Sequence, residues 1–145
     1  MPRLSRSVGG LVVIGVLLAP LGCGSGPVHP TVVVPSYNQL RNFTLAYAQA
    51  TASLQHPPKN AAELRPFLEK FGSADELLRS PTDRELLVVH WNTDIGKLQS
   101  QNNLEPIWVY EKNSHSGKRW VLQGRNPVEL TESEFRAAPF APGFQ

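Results

Sequence analysis

The chain has 145 residues with a single cysteine, and it carries 14 basic against 12 acidic side chains, a formal net charge of +2. This length suits one ordinary domain with a short additional segment, and one cysteine cannot close an internal disulfide, so an apolar core must hold the fold together. No basic run that would neutralise several phosphates is present, which excludes nucleic-acid binding on electrostatic grounds.

Residues 1–22 have the pattern of a secretory signal peptide. Arg3 and Arg6 precede an uncharged stretch, VGGLVVIGVLLAPLG (8–22), which ends in small residues. This stretch is too short to cross a bilayer as a helix, which takes about 20 residues, and its glycines and Pro20 disfavour a helix buried in the fold. We therefore predict that residues 1–22 are removed on export. Without Arg3 and Arg6 the 14 basic residues fall to 12, equal to the 12 acidic ones.

Cys23 directly follows the apolar stretch, in the sequence PLGC (20–23). This tetrapeptide resembles the lipobox of bacterial lipoproteins, whose usual form is Leu, a small residue, Gly or Ala, and then Cys; Pro20 and Leu21 depart from the first two positions. The resemblance implies cleavage before Cys23, a diacylglycerol on its thiol and an acylated amino terminus, and two or three acyl chains hold a protein stably at a membrane. An ordinary signal-peptidase site nearby and a free cysteine are the competing interpretations.

Residues 23–35 form a predicted flexible tether behind the lipidated cysteine. The segment GSGPVHPTVVVP (24–35) is rich in Gly and Pro and almost free of charge, a composition typical of linkers. Gly24 stands where an aspartate often retains lipoproteins in the inner membrane, so in a bacterium with two membranes the resemblance implies the outer membrane. The expected localisation is that of an exported, membrane-anchored lipoprotein that faces the periplasm or the cell exterior.

Residues 36–138 carry the patterns of a single α+β domain that begins with helices. Apolar residues at three- and four-residue steps predict an amphipathic N-terminal helix, with Ser36 as its N-cap and HPP (56–58) as its stop. Its apolar stripe consists of Tyr37, Leu40, Phe43, Tyr47, Ala50 and Leu54.

A short second helix is predicted after the first. Asn60 and Glu63 have the spacing of a capping box, and Pro66 in the interior makes the helix short or bent. SADELL (73–78) adds a further helical turn, and SPTD (80–83) is typical of a turn between elements.

The hydrophobic period then changes to that of β-strands, which predicts a small antiparallel meander of three to four strands. The predicted strands are LLVVHW (86–91), PIWVYEK (106–112), KRWVLQG (118–124) and a short PVELT (127–131). NSHSG (113–117) has the length of a hairpin connection. Thr131 and Glu134 repeat the capping-box spacing and begin a last helical turn, and residues 139–145 are predicted as an irregular tail. Helices followed by a meander belong to the α+β class.

Alternation along the predicted strands assigns the side chains to two faces of the sheet. One face is wholly apolar and is expected to lie under the two helices; its members are Leu87, Val89, Trp91, Ile107, Val109, Trp120 and Leu122. The other face mixes aromatic and polar side chains; its members are Leu86, Val88, His90, Trp108, Tyr110, Arg119, Val121 and Gln123.

Exposed aromatic side chains rimmed by polar groups are typical of binding surfaces. The candidate residues for a partner or ligand are therefore Trp108, Tyr110, His90 and Arg119. The competing interpretation is an ordinary mixed face that the tail covers with Phe140 and Phe144.

The sequence contains no common pattern for catalysis, cofactor binding or metal binding. The four histidines are His29, His56, His90 and His115, and none pairs with another at metal-ligand spacing. Neither a G-x-S-x-G elbow nor a phosphate-binding glycine loop is present. Asp75–Glu76 and Glu132–Glu134 lie near predicted helix starts, where carboxylates interact favourably with the helix dipole. We expect a protein that is not an enzyme and that uses no cofactor or metal.

The order of the elements resembles the heads of pilin-like exported proteins, in topology and not in motif. NFTLAYA (42–48) is similar to a prepilin start, but no long apolar helix follows and Tyr47 takes the place of the expected glutamate, so an assembled pseudopilin is rejected. The resemblance as a whole is to uncharacterised bacterial lipoproteins. The predicted function is a structural or protein-interaction module of the cell envelope, with the membrane bound through the lipid anchor and an envelope protein as partner. The alternative is a secreted domain that binds a small molecule or glycan through the Trp108/Tyr110 face.

Overall fold

The structure is a computed structural model that describes residues 35–143. The predicted signal peptide (1–22), the anchor position Cys23 and the tail residue Phe144 lie outside the described residues. The elements follow in the order α1 (Pro35–Leu54), α2 (Ala61–Leu68), α3 (Ala74–Leu77), β1 (Val88–Val89), β2 (Ile107–Tyr110), β3 (Lys118–Gln123), β4 (Asn126–Thr131) and α4 (Glu132–Ala137). None of the helices in this range is both long and apolar enough to cross a membrane.

The strands form one antiparallel sheet in the order β1-β2-β3-β4. Together with the helices this confirms the predicted α+β fold with a small meander. The β2–β3 hairpin closes through Ser116 and Gly117, whose φ angles of 50° and 77° are the two positive values of a type I′ turn. Gly124, with a φ of 58°, is the first residue of the two-residue turn between β3 and β4. These short turns fix the strand register.

The N-terminal helix follows the predicted apolar stripe over most of its length. It begins at Pro35, one residue before the predicted start, so Ser36 lies inside the first turn and is not the N-cap; a proline fits the first helical position. The helix ends at Leu54, and Gln55 takes the left-handed conformation with a φ of 62°. The fully buried members of the stripe are Leu40, Phe43, Tyr47 and Ala50.

Of the two predicted capping boxes, the one at α4 is complete and the one at α2 is half formed. In α2 the Asn60 side chain accepts a hydrogen bond from the N–H of Glu63 at 3.0 Å, although the Glu63 carboxylate reaches the N–H of Lys59 and not that of Asn60. In α4 Thr131 and Glu134 form the complete reciprocal capping box. Both caps satisfy donors that the first helical turn leaves without a partner in the helix.

A β-bulge on β2 exchanges two side chains between the predicted faces of the sheet. Ile107 pairs with Gln123 and Val109 with Leu122, so β2 advances two residues where β3 advances one. Trp108 therefore joins Val109 in the core under α1, while Ile107 lies in the core on the opposite face. The predicted faces of Trp108 and Ile107 were wrong because strict alternation assumes a strand without a bulge.

Trp108 is the centre of the core between the sheet and α1. Its side chain is fully buried, and its ring centroid lies 4.6 Å from that of Tyr47 and 6.1 Å from that of Phe43. The indole N–H donates a hydrogen bond to the carbonyl of Gly124, so the one polar atom of the side chain is satisfied. A large aromatic residue with these contacts contributes apolar burial and favourable ring geometry together.

The opposite face of the sheet is covered by α4 and the C-terminal tail. Tyr110 packs edge-on against Phe135 and Phe140, with ring centroids 5.1 Å and 6.0 Å away. The predicted irregular tail also pairs with β2: the N–H of Ile107 donates to the carbonyl of Pro139, and the N–H of Ala141 donates to the carbonyl of Ile107, both at 2.8 Å. The mixed face is thus covered by Phe140, as the competing interpretation predicted.

We expect Trp108→Ala to lower the free energy of unfolding by about 3–5 kcal/mol, because the substitution leaves a cavity between Tyr47 and Phe43. Leu86→Ala is the matched control, since that side chain is 56% exposed and its loss should change stability by less than about 0.5 kcal/mol. Urea unfolding followed by circular dichroism measures both. Equal, small effects of the two substitutions would show that Trp108 is not the core residue described.

Candidate functional site

The predicted contact residues do not form one surface. Trp108 is buried under α1, and Tyr110 lies beneath Phe135 and Phe140. Arg119 is held against α4, where its guanidinium lies 4.2 Å from the Phe135 ring centroid. His90 alone among the candidates lines a cleft. The Trp108/Tyr110 platform expected from strand alternation is therefore absent from the described surface.

Arg119 joins the sheet to α4. Its Nε and Nη2 donate to Oε1 of Glu132 at 2.9 and 2.6 Å, and its Nη1 donates to the carbonyl of Glu111 at 3.2 Å. The Arg119 guanidinium holds the pKa of the Glu132 carboxyl below its usual range. Nε, Nη1 and Nη2 of this guanidinium all donate to acceptors held in place by the fold, which is typical of a structural role. We assign this role to Arg119.

The cleft lies between the segment after β1 and the C-terminal tail, and its volume is about 330 Å³. Its walls include His90, Trp91, Asn92, Asp94, Lys97 and Pro142. A second cavity of about 240 Å³ lies next to it along the same segment, since it shares Lys97, Leu98 and Pro142. The lining combines an indole with an amide, a carboxylate and an ammonium group, and such concave mixed surfaces are typical of small-molecule sites.

Hydrogen bonds from α1 hold the cleft-lining segment in place. The Tyr47 hydroxyl accepts from the N–H of Thr93 at 3.1 Å and donates to the carbonyl of Pro58 at 3.5 Å. Pro58 also accepts from the N–H of Asn92 at 2.7 Å, and the Thr93 hydroxyl donates to the carbonyl of His90 at 2.7 Å. The segment from His90 to Thr93 is thus fixed to the helix and to the loop that follows it.

Asp94 organises the next turn of the cleft wall. Its Oδ1 accepts from the N–H of Gly96 at 3.0 Å, and its Oδ2 lies 3.0 Å from the Nζ of Lys97. The Lys97 ammonium, together with the Gly96 N–H, holds the pKa of the Asp94 carboxyl below its usual range. Asp94 is therefore ionised at neutral pH, and the cleft presents a compensated ion pair that can accept and donate hydrogen bonds.

Burial of Glu111 was missed by sequence reasoning. This carboxylate is 2% exposed, and its Oε1 accepts from the hydroxyls of Ser80 at 2.8 Å and Thr82 at 3.2 Å, while its Oε2 accepts from the N–H of Trp120 at 2.9 Å. The signal was present, because alternation after Val109 places Glu111 on the inner side of its strand. Glu111 therefore connects the turn at Ser80 to the sheet. A buried carboxylate is tolerated in a fold when hydrogen-bond donors surround it.

Among residues 35–143 no group of three or more histidine, cysteine and carboxylate side chains is placed to hold a metal ion. The pairs Arg65–Asp75 and Arg119–Glu132 join separate elements.

The arrangement in the cleft supports binding of a ligand through hydrogen bonds and through contact with the Trp91 ring.

Tyr47→Phe tests the link between α1 and the cleft. Burial raises the pKa of Tyr47 from its ordinary value to about 12, an effect that the N–H of Thr93 opposes and the charge of Asp94 reinforces. Because the folded pKa lies above the unfolded value of about 10, this group's contribution to stability is full below pH 10 and is lost as the pH rises towards 12.

We therefore expect an absorbance step for phenolate formation near pH 12 in the unmodified protein that is missing in Tyr47→Phe. At neutral pH the substitution should cost about 1–3 kcal/mol, since it leaves the buried N–H of Thr93 without its acceptor. Thr51→Ser, which keeps a hydroxyl on the same helix, is the control. Because the chain has three tyrosines, the contradicting result is a Tyr47→Phe variant that keeps the step near pH 12 and loses phenolate absorbance at the ordinary pH for tyrosine.

Comparison of the chain with models of known protein families, with curated proteins and with solved structures finds no match.

Proposed function

We propose that the protein is an exported, lipid-anchored module of the cell envelope, with a structural or protein-interaction role. The observation that carries this proposal is the position of Cys23, which follows an apolar stretch in the sequence PLGC and precedes the first residue of α1, Pro35, by 12 residues. A chain of that length spans at most about 43 Å when fully extended. The anchor would therefore keep the domain close to a bilayer surface.

The architecture of the domain supports this proposal. Two apolar cores, one on each face of the sheet, hold it together, and the described residues contain no cysteine. A domain of this kind does not depend on disulfide formation after export. Within the described residues α1 is the first element and so the nearest in sequence to Cys23, and the tail pairs with Ile107.

Binding of a small molecule or glycan is the second candidate function, and the cleft beside Trp91 is the observation that favours it. The half-buried indole of Trp91 lies with Asn92 and Asp94 in the cleft wall. An aromatic ring next to hydrogen-bonding side chains suits a ligand with both apolar and hydroxyl surfaces. This location replaces the Trp108/Tyr110 face, because Trp108 is fully buried.

Lipidation of Cys23 is tested by intact-mass analysis of the membrane fraction. We expect a protein that has lost residues 1–22 and gained the mass of two or three acyl chains, because the resemblance to the lipobox implies cleavage and acylation together. Cys23→Ser should abolish the added mass and move the protein to the soluble fraction. A mature protein without added lipid in the unmodified chain would leave it exported and untethered.

Ligand binding in the cleft is tested by a tryptophan-fluorescence titration with neutral oligosaccharides. We expect saturable quenching or a spectral shift that Trp91→Ala abolishes, since that ring lines the cleft. Trp120→Phe is the control, because Trp120 packs against Tyr37 on another part of the surface and its replacement should leave the response unchanged. A response that persists without Trp91, or no saturable response at all, would reject the cleft as the site.

A further inference from the structure

The N-terminal helix has a second, outward face that is partly apolar. Tyr37 and Leu45 are each 43% exposed, and Arg41 lies between them in the sequence. Residues spaced by four are neighbours along one side of a helix, so the three side chains form one strip, whose end at Tyr37 contacts the Trp120 ring with centroids 6.3 Å apart. The outward side of a helix that packs on a sheet is ordinarily polar, and this one presents two large apolar side chains around an arginine.

A shallow cavity of about 270 Å³ continues this strip. The helix contributes Arg41, Leu45 and Ala48, the segment after β1 contributes Ile95, and the turn between β3 and β4 contributes Arg125. The two arginines come from separate elements and line the same cavity as an exposed leucine. The site therefore combines two guanidinium groups with an apolar floor.

Neither arginine forms an ion pair with a described residue. The basic members of the ion pairs within residues 35–143 are Arg65, Arg84, Lys97, Lys112, Lys118 and Arg119. Arg41 and Arg125 are both exposed and are absent from these pairs. Asp94, which precedes Ile95 in the chain, is paired with Lys97 at 3.0 Å, and its carboxylate and the Arg125 guanidinium both lie beside Gly96. The cavity thus has two guanidinium groups that take no part in the ion pairs of the described residues.

We propose that this surface, defined by Tyr37, Arg41, Leu45 and Arg125 and termed the α1 outer face, lies against an anionic lipid bilayer. The inference rests on the proposed lipid anchor. Guanidinium groups match the geometry of headgroup phosphates, and tyrosine and leucine side chains suit the boundary between headgroups and acyl chains. The arginines bind phosphates, while Leu45 and Tyr37 enter the interfacial layer.

The position of the α1 outer face favours a membrane over an acidic protein as the occupant. The face begins at Tyr37, in the first turn of the helix, and the anchor position Cys23 is separated from that helix by only the short segment that ends at Pro35. An anchor at one end of a short linker raises the effective concentration of the bilayer at this face. Weak contacts that would not hold a free protein at a membrane then suffice to orient an anchored one.

The orientation is tested with the full-length, lipidated protein carrying Ala48→Cys, labelled with an environment-sensitive fluorophore. With Cys23 acylated, the introduced cysteine is the free thiol, and Ala48 lines the cavity without belonging to the charged or large apolar residues of the face. The protein is inserted into vesicles of phosphatidylcholine alone or of phosphatidylcholine with phosphatidylglycerol. We expect a blue shift and a gain of emission in the anionic vesicles.

Two variants make this result specific. Arg41→Glu combined with Arg125→Glu should return the emission to its value in neutral vesicles, while Arg41→Lys combined with Arg125→Lys should retain part of the shift. A label at Ser133→Cys, exposed on α4 at the opposite face of the sheet, should respond to neither vesicle. Circular dichroism of each variant confirms that it is folded.

The outcomes separate this proposal from the anchor on which it rests. Failure of the protein to float with vesicles overturns the anchor. Flotation with no shift at Ala48, or with the same shift in neutral vesicles or in the double glutamate variant, overturns the α1 outer face as a lipid contact. A shift produced by an acidic peptide and not by anionic vesicles overturns it as well, in favour of a protein partner.

Discussion

The contact between Trp108 and Tyr47 is the interaction on which the rest of the domain depends. Their rings lie 4.6 Å apart at the junction of the sheet and α1, and the contact exists only because the β2 bulge turns Trp108 towards the helix. The Tyr47 hydroxyl also accepts a hydrogen bond from the N–H of Thr93 and donates one to the carbonyl of Pro58. One aromatic pair therefore joins the helix, the sheet and the segment that lines the cleft.

Hydrogen bonds of charged side chains hold elements of the domain together at places where apolar packing ends. The buried Glu111 collects donors from Ser80, Thr82 and the backbone of Trp120, and Arg119 joins β3 to α4 through Glu132. Both groups have their hydrogen-bonding capacity used by fixed partners. Because buried polar groups stabilise a fold only when they are satisfied, these contacts specify where the turn at Ser80 and the last helix dock.

The segment after β1 connects the two surfaces to which we assign binding roles. Trp91 and Asp94 line the cleft, Thr93 is held by Tyr47, and Ile95 lines the cavity of the α1 outer face. A ligand in the cleft and a bilayer against α1 would therefore both contact this short segment. The anchoring of that segment by Tyr47 would make both surfaces depend on the same hydrogen bond.

The sequence by itself determined the fold class, the order of the elements, the capping box of α4 and the Asn60 N-cap of α2. Those features depend on local periodicity and spacing, as in the stripe through Phe43 and Tyr47 and the box at Thr131 and Glu134. It also placed the alternation of β3 correctly, because that strand pairs with β4 without interruption from Lys118 to Gln123. Local patterns are sufficient wherever the backbone stays regular.

Only the tertiary structure decided which face Trp108 takes, how the tail pairs with Ile107, and which residues line the cleft. A bulge leaves no mark in the alternation of IWVY, so the exchange of Ile107 and Trp108 depends on pairing with a distant strand. Of the candidate residues, His90 reaches the cleft, while Tyr110 and Arg119 serve the packing of α4 and the tail. Likewise, Arg41 and Arg125 are 84 positions apart in the sequence and share a cavity only because the turn after β3 folds back towards α1.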